Sequence, residues 1–215
     1  MDTPVQCVLI LILLNNFGLL STGNMKMLIR LTAAQGIFLA LLALLMPVSR
    51  EFPQALLFCL AIFGIKGLCL PWLLRRTLRH VIKDPRLSPR FGYNLSILAG
   101  ILALAVSLWL APRLPLAPGF FPFLLFPAAF CTIVAGFVLL VGRMRAITQV
   151  IGYLAAENGI FLLSLPLIAA TDGFRFEMLV LLDVMAAIFV MGIALNHISK
   201  AFDSLNVGRF RALKD

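Results

Sequence analysis

Three charged side chains lie deep inside long apolar stretches of this 215-residue chain: Lys66, Glu157 and Asp183. Each is about 12 to 18 Å from the nearer end of its stretch, counted at the helical rise per residue. An ionised side chain at the centre of a membrane helix costs roughly 2.5 to 3.5 kcal/mol. Loss of water raises the pKa of a carboxyl group and lowers that of an amine, so both approach neutral pH. These residues are therefore candidates for a proton relay. A buried ion pair that fixes helix register is the structural alternative.

Further polar residues accompany these three charges. His197 lies at the end of the last apolar stretch, where a histidine could pass protons to the cytoplasm or be an interfacial residue. Helical spacing groups several polar and small side chains around Glu157 on one face, with one amide beside them. The supporting polar residues that we single out are Gln35, Gln149, Tyr153 and Asn158.

The composition is typical of a membrane protein. Hydrophobic residues make up 62% of the chain, charged residues 13%, and the mean hydropathy is +1.05. Apolar runs of about 20 residues match the hydrocarbon thickness of a bilayer. We predict an all-α membrane protein with seven transmembrane helices in a single domain (1–215). The predicted helices are 4–22, 27–49, 54–74, 95–112, 120–142, 147–170 and 175–199, with a basic loop at 75–94 and a tail at 200–215.

The distribution of basic residues predicts the orientation of these helices. The net charge is +9, and fourteen of the 18 Lys and Arg residues fall on one side of the predicted membrane. The opposite side holds Arg50, Arg113 and Arg175. Because Lys and Arg accumulate on the cytoplasmic side, the amino terminus is expected outside and the carboxyl terminus inside. The basic residues lie in short clusters between apolar runs, which indicates a topological role and no nucleic-acid partner.

Two local patterns concern predicted helices 2, 3 and 6. Residues 33–39 (AAQGIFL) resemble residues 155–162 (AAENGIFL), with Gln35 where Glu157 stands. The similarity is either chance or a sign that helices 1–3 and 5–7 are parallel repeats joined by helix 4. Gly64, Gly67 and Pro71 surround Lys66, so we expect a local break in that helix.

The sequence offers no active site of its own. The four cysteines lie in apolar runs without a C-x-x-C pair, so neither an iron–sulfur cluster nor a zinc site is indicated. It contains no nucleophile elbow, phosphate-binding glycine loop or H-E-x-x-H motif. We therefore expect no cofactor and no metal. Membrane lipids are expected partners of the basic loop at 75–94, where a cytoplasmic arm is the other possible contact.

Several motifs of the chain are shared with a known family. They are residues 149–159 (QVIGYLAAENG), Leu182-Asp183, residues 204–207 (SLNV), residues 211–214 (RALK), and Lys66 with Pro71. With these motifs the chain resembles hydrogenase-4 component E, a membrane subunit of group 4 nickel–iron hydrogenase complexes of the formate hydrogenlyase type. The resemblance covers essentially the whole chain and is strongest from about 142 to 215. The last three helices look like the K subunit of complex I and the C subunit of Mrp antiporters.

What this resemblance implies is a non-catalytic subunit in the membrane arm of an oxidoreductase complex. Its partners would be antiporter-like and complex I-like membrane subunits and, through the complex, peripheral nickel–iron and iron–sulfur subunits. Its location would be the cytoplasmic membrane of a bacterium or archaeon. The buried charges would take part in H⁺ or Na⁺ translocation, or in coupling it to redox turnover. A purely structural scaffold subunit and a small independent ion transporter are the alternatives.

Overall fold

The computed structural model describes residues 2–46, 56, 59–81, 92–114, 122–143 and 146–169. Across these residues the chain is helical and contains no strand, which confirms the all-α prediction there. The predicted helix 175–199, with Asp183 and His197, lies outside the described residues, as do the tail and much of the loop 75–94. The helices are α1 (Asp2–Ser21), α2 (Met25–Leu45), α3 (residues 59–62, the π-helical segment Phe63–Cys69 and the α-helical segment Leu70–Val81), α4 (Tyr93–Leu110), α5 (Leu125–Gly142) and α6 (Ala146–Ala169).

Several of these helices are long and apolar enough to cross a membrane. In the described part of the chain there are four such helices: Thr3–Ser21, Met25–Leu45, Tyr93–Arg113 and Leu125–Gly142. Large apolar side chains point away from the protein, such as Leu102 and Phe137, each more than half exposed. Exposed apolar surface of this extent is typical of helices that face lipid. The chain therefore has the architecture of a helical membrane protein.

The turn between α1 and α2 brings several helix ends together. The Asn24 side chain caps α2 by accepting a hydrogen bond from the Lys26 backbone N–H at 3.0 Å. Gly23 lies against the Tyr93 hydroxyl at the start of α4, where a Cβ atom would have no room. The Arg143 side chain, at the end of α5, donates a hydrogen bond to the Leu20 carbonyl in the last turn of α1. These contacts connect the ends of α1, α4 and α5 at one end of the bundle.

Helices α5 and α6 touch through their backbones. A Cβ atom on Gly152 would lie 2.7 Å from the Gly136 carbonyl oxygen, and one on Gly159 would lie 2.7 Å from the Ile133 nitrogen. Residues without side chains at these points let the two helix axes approach closely. Small residues at a spacing of three or four positions, as on α6, are typical of membrane helices in close contact. The close contact holds Glu157, which lies between the two glycines, at a fixed height in the bundle.

Helix α3 is widened around Lys66, whereas the sequence predicts a break. Residues 63–69 form a π-helix, and the Leu70 N–H bonds to the Ile65 carbonyl, five residues back. Pro71 has no N–H to donate, and its ring would clash with the carbonyl of Gly67, four residues earlier, in a regular α-helix. A wider turn before the proline relieves this clash without ending the helix. The helix also runs on to Val81, seven residues past the predicted end of its span.

Candidate functional site

Lys66 and Glu157 form an ion pair inside the bundle. The Lys66 ammonium lies 3.1 Å from the Glu157 Oε1 atom, and both side chains are at least nine-tenths buried. Helix α3 supplies the lysine and α6 the glutamate, so the pair joins helices 91 positions apart in sequence. The ammonium also lies 5.0 Å from the centre of the Phe161 ring, one turn after Glu157, which favours a cation. Each charge is therefore compensated within the protein.

A line of buried hydrogen bonds continues from this pair. The Lys66 ammonium donates to Asn158 Oδ1 at 3.1 Å, and the Asn158 amide N–H donates to Gln35 Oε1 at 3.2 Å. Gln35 donates to Asn16 Oδ1 at 2.9 Å, and Asn16 donates to the Thr132 hydroxyl oxygen at 2.8 Å. These groups come from α3, α6, α2, α1 and α5, and every side chain in the line is buried. We call Asn158, Gln35, Asn16 and Thr132 the amide line.

The chemistry of the two end groups fixes the direction of every bond in the amide line. A lysine ammonium has donors only, so Asn158 must turn its oxygen toward Lys66 and its nitrogen toward Gln35. The same reasoning passes along the line until Asn16 offers a donor to Thr132. Thr132 can accept it because its own hydroxyl hydrogen goes to the Ala128 carbonyl at 2.6 Å. The line is satisfied in this one direction, with a donor required at residue 66.

The site lies near the middle of the helices that form it. Gln35 is ten residues from either end of α2 (Met25–Leu45), and Glu157 is 11 and 12 residues from the ends of α6 (Ala146–Ala169). Gly36 lets α2 pack directly against the backbone of α3 at Lys66. A Cβ atom on Gly36 would lie 2.5 Å from the Lys66 carbonyl oxygen. A bulkier residue at 36 would push the two helices apart. The position of Lys66 therefore depends on a neighbouring glycine as well as on its own partners.

The two ends of the polar cluster differ in what they can do chemically. Lysine and glutamate can both gain or lose a proton, so the pair can exchange one directly across a 3.1 Å contact. Asn158, Gln35 and Asn16 carry amides, whose N–H groups stay bound to nitrogen at neutral pH. In the amide line, protons are held and oriented, whereas in the ion pair they can move. The arrangement is that of a proton-exchanging pair held in place by a non-titrating support.

The structure brings together some of the residues singled out from the sequence and separates others. Lys66, Glu157, Gln35 and Asn158 lie in one cluster. Gln149 is exposed and donates to the Arg143 backbone carbonyl at 3.4 Å, away from this cluster. We predict a polar stripe on one face of α6, with Gln149, Tyr153 and Glu157 among its members. Gln149 lies two helical turns before Glu157, where the direction of the side chain has drifted around the helix, so the stripe does not extend to Gln149.

Tyr153 is another member of that stripe. Its side chain is half-buried and packs against an apolar cluster with Ile151, Leu154 and Ala155. None of the hydrogen bonds of the amide line involves it. The expectations for Asp183 and His197 concern residues outside the described part of the chain.

Two members of the amide line are missed by the sequence reasoning. Asn16 and Thr132 are uncharged and lie in helices whose other residues are mostly apolar. The Asn15–Asn16 pair in predicted helix 1 is a usable signal, because two amides inside an apolar helix need hydrogen-bond partners. Thr132 gives no comparable signal, since a threonine can satisfy its own hydroxyl on the preceding turn.

A second buried cation lies at the end of the bundle. Arg143 is 2% exposed, donates to the Leu20 carbonyl at 3.3 Å, and lies 4.5 Å from the centre of the Tyr93 ring. Burial lowers the pKa of the guanidinium, and its interaction with Tyr93 works in the opposite direction. An arginine stays charged through the physiological range even so. Arg143 thus links α1, α4 and α5 as a permanent cation.

Comparison with known proteins finds a relative whose name states no activity. An uncharacterized protein of Mycobacterium tuberculosis, Rv0085, is 29% identical to this chain over 201 residues. The similarity covers 89% of this chain and 87% of that protein, so it extends along nearly all of both. No family model matches the chain, and no solved structure matches it. Among the described residues, no three His, Cys, Asp or Glu side chains come together as a metal site would require.

Proposed function

We propose that this chain is a non-catalytic subunit of the membrane arm of a group 4 nickel–iron hydrogenase complex related to complex I. In this proposal, Lys66 and Glu157 contribute to the translocation of H⁺ or Na⁺, or couple it to redox turnover. Hydrogen chemistry belongs to peripheral partner subunits. The resemblance of residues 142–215 to hydrogenase-4 component E suggests the complex, and the ion pair suggests the role.

The observation that carries the proposal is the depth and burial of the Lys66–Glu157 pair. A buried ion pair is weak as a stabilising device, because removing two charges from water costs several kcal/mol per ion. A neutral side chain that donates a hydrogen bond from residue 66, with no acid at residue 157, would satisfy the amide line without this cost. Titratable groups inside a membrane mark ion pathways and proton relays in many proteins. A proton-exchanging role explains why two charges occupy a position where a neutral donor would satisfy the amide line.

The proposal includes seven transmembrane helices in the cytoplasmic membrane of a bacterium or archaeon, with the amino terminus outside. Support comes from the basic residues at one end of the bundle. Lys26 and Arg30 in the first turns of α2, Arg75 near the end of α3 and Arg143 at the end of α5 share that end. Arg113 follows α4 at the other end. The end rich in cations is the cytoplasmic one under the usual charge bias.

A second candidate function is a structural scaffold, and the amide line favours it. Asn16, Gln35, Thr132 and Asn158 carry no titratable group, yet they join four helices through buried hydrogen bonds. Such a network specifies how helices pair. In this alternative the ion pair is one more cross-link. The scaffold predicts that variants of Lys66 and Glu157 either have no effect or prevent assembly, and that no assembled but uncoupled complex exists.

Membership of the complex is tested by isolating the full-length chain from its native membrane. An affinity tag on the chain, mild detergent and mass spectrometry of the eluted proteins identify its partners. We expect nickel–iron hydrogenase and antiporter-like subunits in a stable complex with hydrogen-dependent activity. A chain that elutes alone, and that transports ions by itself after reconstitution, would contradict the proposal and favour an independent transporter.

The role of the ion pair is tested by Glu157→Gln in the assembled complex. The variant keeps the shape and the hydrogen-bonding oxygen but removes the exchangeable proton. We expect a complex of normal composition whose proton uptake per hydrogen turned over falls severalfold. Glu51→Gln, in the predicted connection between helices 2 and 3, is the matched control and is expected to leave this ratio unchanged. Normal pumping by the assembled Glu157→Gln complex would reject the role.

A further inference from the structure

An open groove runs along the outer surface between α2 and α3. Its volume is about 490 Å³, and its lining is mostly apolar. Gly64, Gly67 and Ala33 line it without long side chains, Trp72 lines it further along α3, and Arg75 is the cation that lines it. A Cβ atom on Gly64 would meet no atom of the described residues within 4 Å, so they leave the space beside it open. The groove is mostly apolar, and Arg75 is its charged lining residue.

The extent of the groove along α3 matches the thickness of one leaflet of a bilayer. Arg75 follows Lys66 by nine residues, which is about 13 Å along a helix. Half of the hydrocarbon thickness of a bilayer is about 15 Å. With Lys66 near mid-depth, Arg75 reaches the level of the lipid headgroups. Trp72, one turn earlier and 58% exposed, is at the depth where tryptophans prefer to lie. The groove thus spans the length of one acyl chain.

Among the described residues of α2 and α3, the charge at the Arg75 end has a single sign. Arg75 and Arg76 are exposed, and the Arg76 guanidinium lies 5.5 Å from the centre of the Trp72 ring. Lys26 and Arg30 are exposed in the first two turns of α2, at the same end of the bundle. Neither α2 nor the segment Leu70–Val81 contains an acidic residue. A negatively charged headgroup is the complementary ligand at this depth, and each cation near a membrane surface contributes about 1 kcal/mol to such attraction.

We propose that this groove binds one anionic phospholipid, with its phosphate beside Arg75 and an acyl chain along Gly64 and Gly67. The site is independent of the proposed ion translocation and requires no partner subunit. The bound lipid contacts the outer side of the π-helical segment. Lys66 lies in the same segment, between Gly64 and Gly67. The same lipid fills the space beside the small residues of α2 and α3 that line the groove.

The two tryptophans of the chain make the test direct. Trp109→Phe leaves Trp72 as the single fluorophore at the groove, and Trp72→Phe leaves Trp109, which lies on α4 and carries Arg113 over its ring. The full-length chain is reconstituted in bilayers with brominated phosphatidylglycerol or brominated phosphatidylcholine, which quench a tryptophan in contact. We expect Trp72 to be half-quenched at about a fivefold lower fraction of the anionic lipid, the factor that 1 kcal/mol provides. The preference at Trp109 is expected to be clearly smaller.

Variants of the groove sharpen the result. In the Trp109→Phe background, Arg75→Gln is expected to abolish the preference for the anionic lipid, and Arg113→Gln to preserve it. Gly64→Leu fills the groove without changing any charge, so it is expected to weaken quenching by the anionic lipid. This variant tests the same site if Arg75→Gln does not fold. Equal quenching of Trp72 by both lipids would overturn the proposal. Absence of quenching by either would also overturn it, because the groove would then be covered by protein.

Discussion

Among the described residues, two cations are buried in this bundle, and their partners differ in kind. Lys66, near mid-depth, has a carboxylate and an amide oxygen as partners, whereas Arg143, at a helix end, has the Leu20 carbonyl and the Tyr93 ring. At a helix end the last carbonyls are free to accept and carry partial negative charge. In mid-helix those carbonyls are bonded internally, so a cation there needs a side-chain acceptor. The difference shows that burial of a cation does not itself require an acid.

A hydrogen bond to the Lys66 ammonium does not by itself require a glutamate. Asn158 already supplies a neutral acceptor at 3.1 Å, as the Leu20 carbonyl does for Arg143. Adding a second ionisable group at that depth has a desolvation cost that the Arg143 site avoids. The paired charges make the mid-depth site one that can exchange protons. The Arg143 site is permanently charged and connects helices.

The largest effect is expected when Lys66 loses its charge. Lys66→Met leaves Glu157 buried without its cation, and such a loss typically destabilises a protein by about 3 to 5 kcal/mol. We expect a drop of this size in the free energy of unfolding, measured by SDS titration in mixed micelles. Lys66→Met combined with Glu157→Gln removes both charges, so it is expected to recover at least half of the loss. No recovery would contradict a direct pair.

A smaller loss is expected at Gly36, which sets the spacing of α2 and α3. In Gly36→Ala, the new methyl group would lie 2.5 Å from the Lys66 carbonyl oxygen, so the helices must separate. Overpacking of this kind costs about 1 to 3 kcal/mol. Gly64→Ala is the matched control, because its methyl group meets open space two residues from Lys66. Equal stability of the two variants in SDS titration would show that the close approach at Gly36 is absent.

Loss of Arg143 sharpens the contrast between the two cations. Arg143→Met removes a hydrogen bond to a neutral carbonyl and a contact with an aromatic ring, and it leaves no opposite charge stranded. We expect a loss of about 1 to 2 kcal/mol in the same titration and no change in proton uptake per turnover of the assembled complex. A loss as large as that of Lys66→Met would remove the distinction between the sites.

The smallest effect is expected at the far end of the amide line. Thr132→Val keeps the shape of the side chain but leaves the Asn16 amide without its acceptor, at a cost of about 1 kcal/mol. Thr132→Ser retains the hydroxyl and is expected to be closer to the parent in stability. The comparison is made by SDS titration of the full chain. If valine and serine behave alike, Thr132 does not end the line.

The sequence predicts the helices and the charged pair better than it predicts the support around them. Apolar runs and their length locate α1 to α6, because burial in lipid imposes both. Lys66 and Glu157 stand out because any charge at such depth is costly. The direction in which Asn16 and Thr132 face, in contrast, depends on how α1 and α5 pack, which no local pattern encodes.

The π-helical segment of α3 has a similar explanation. Gly64, Gly67 and Pro71 indicate that the helix is irregular near Lys66, and two outcomes fit those residues: a break or a widened turn. The structure has the widened turn, and there Gly36 of α2 lies directly against the Lys66 carbonyl of α3. The predicted polar stripe on α6 extends too far, to Gln149, for a related reason. Helical spacing shows which side chains share a face of α6, but it does not show how far along that face they meet polar partners on other helices.

The proposed role of this bundle requires contact between the Lys66 ammonium and the Glu157 carboxylate. It is tested directly by solid-state NMR of the full chain in lipid bilayers, with ¹⁵N in the lysine side chains and ¹³C in the glutamate carboxyls. We predict a strong Nζ to carboxyl dipolar coupling, consistent with the 3.1 Å contact, that disappears in Lys66→Met. A spectrum in which this substitution removes no coupling would contradict the pair and the role assigned to it.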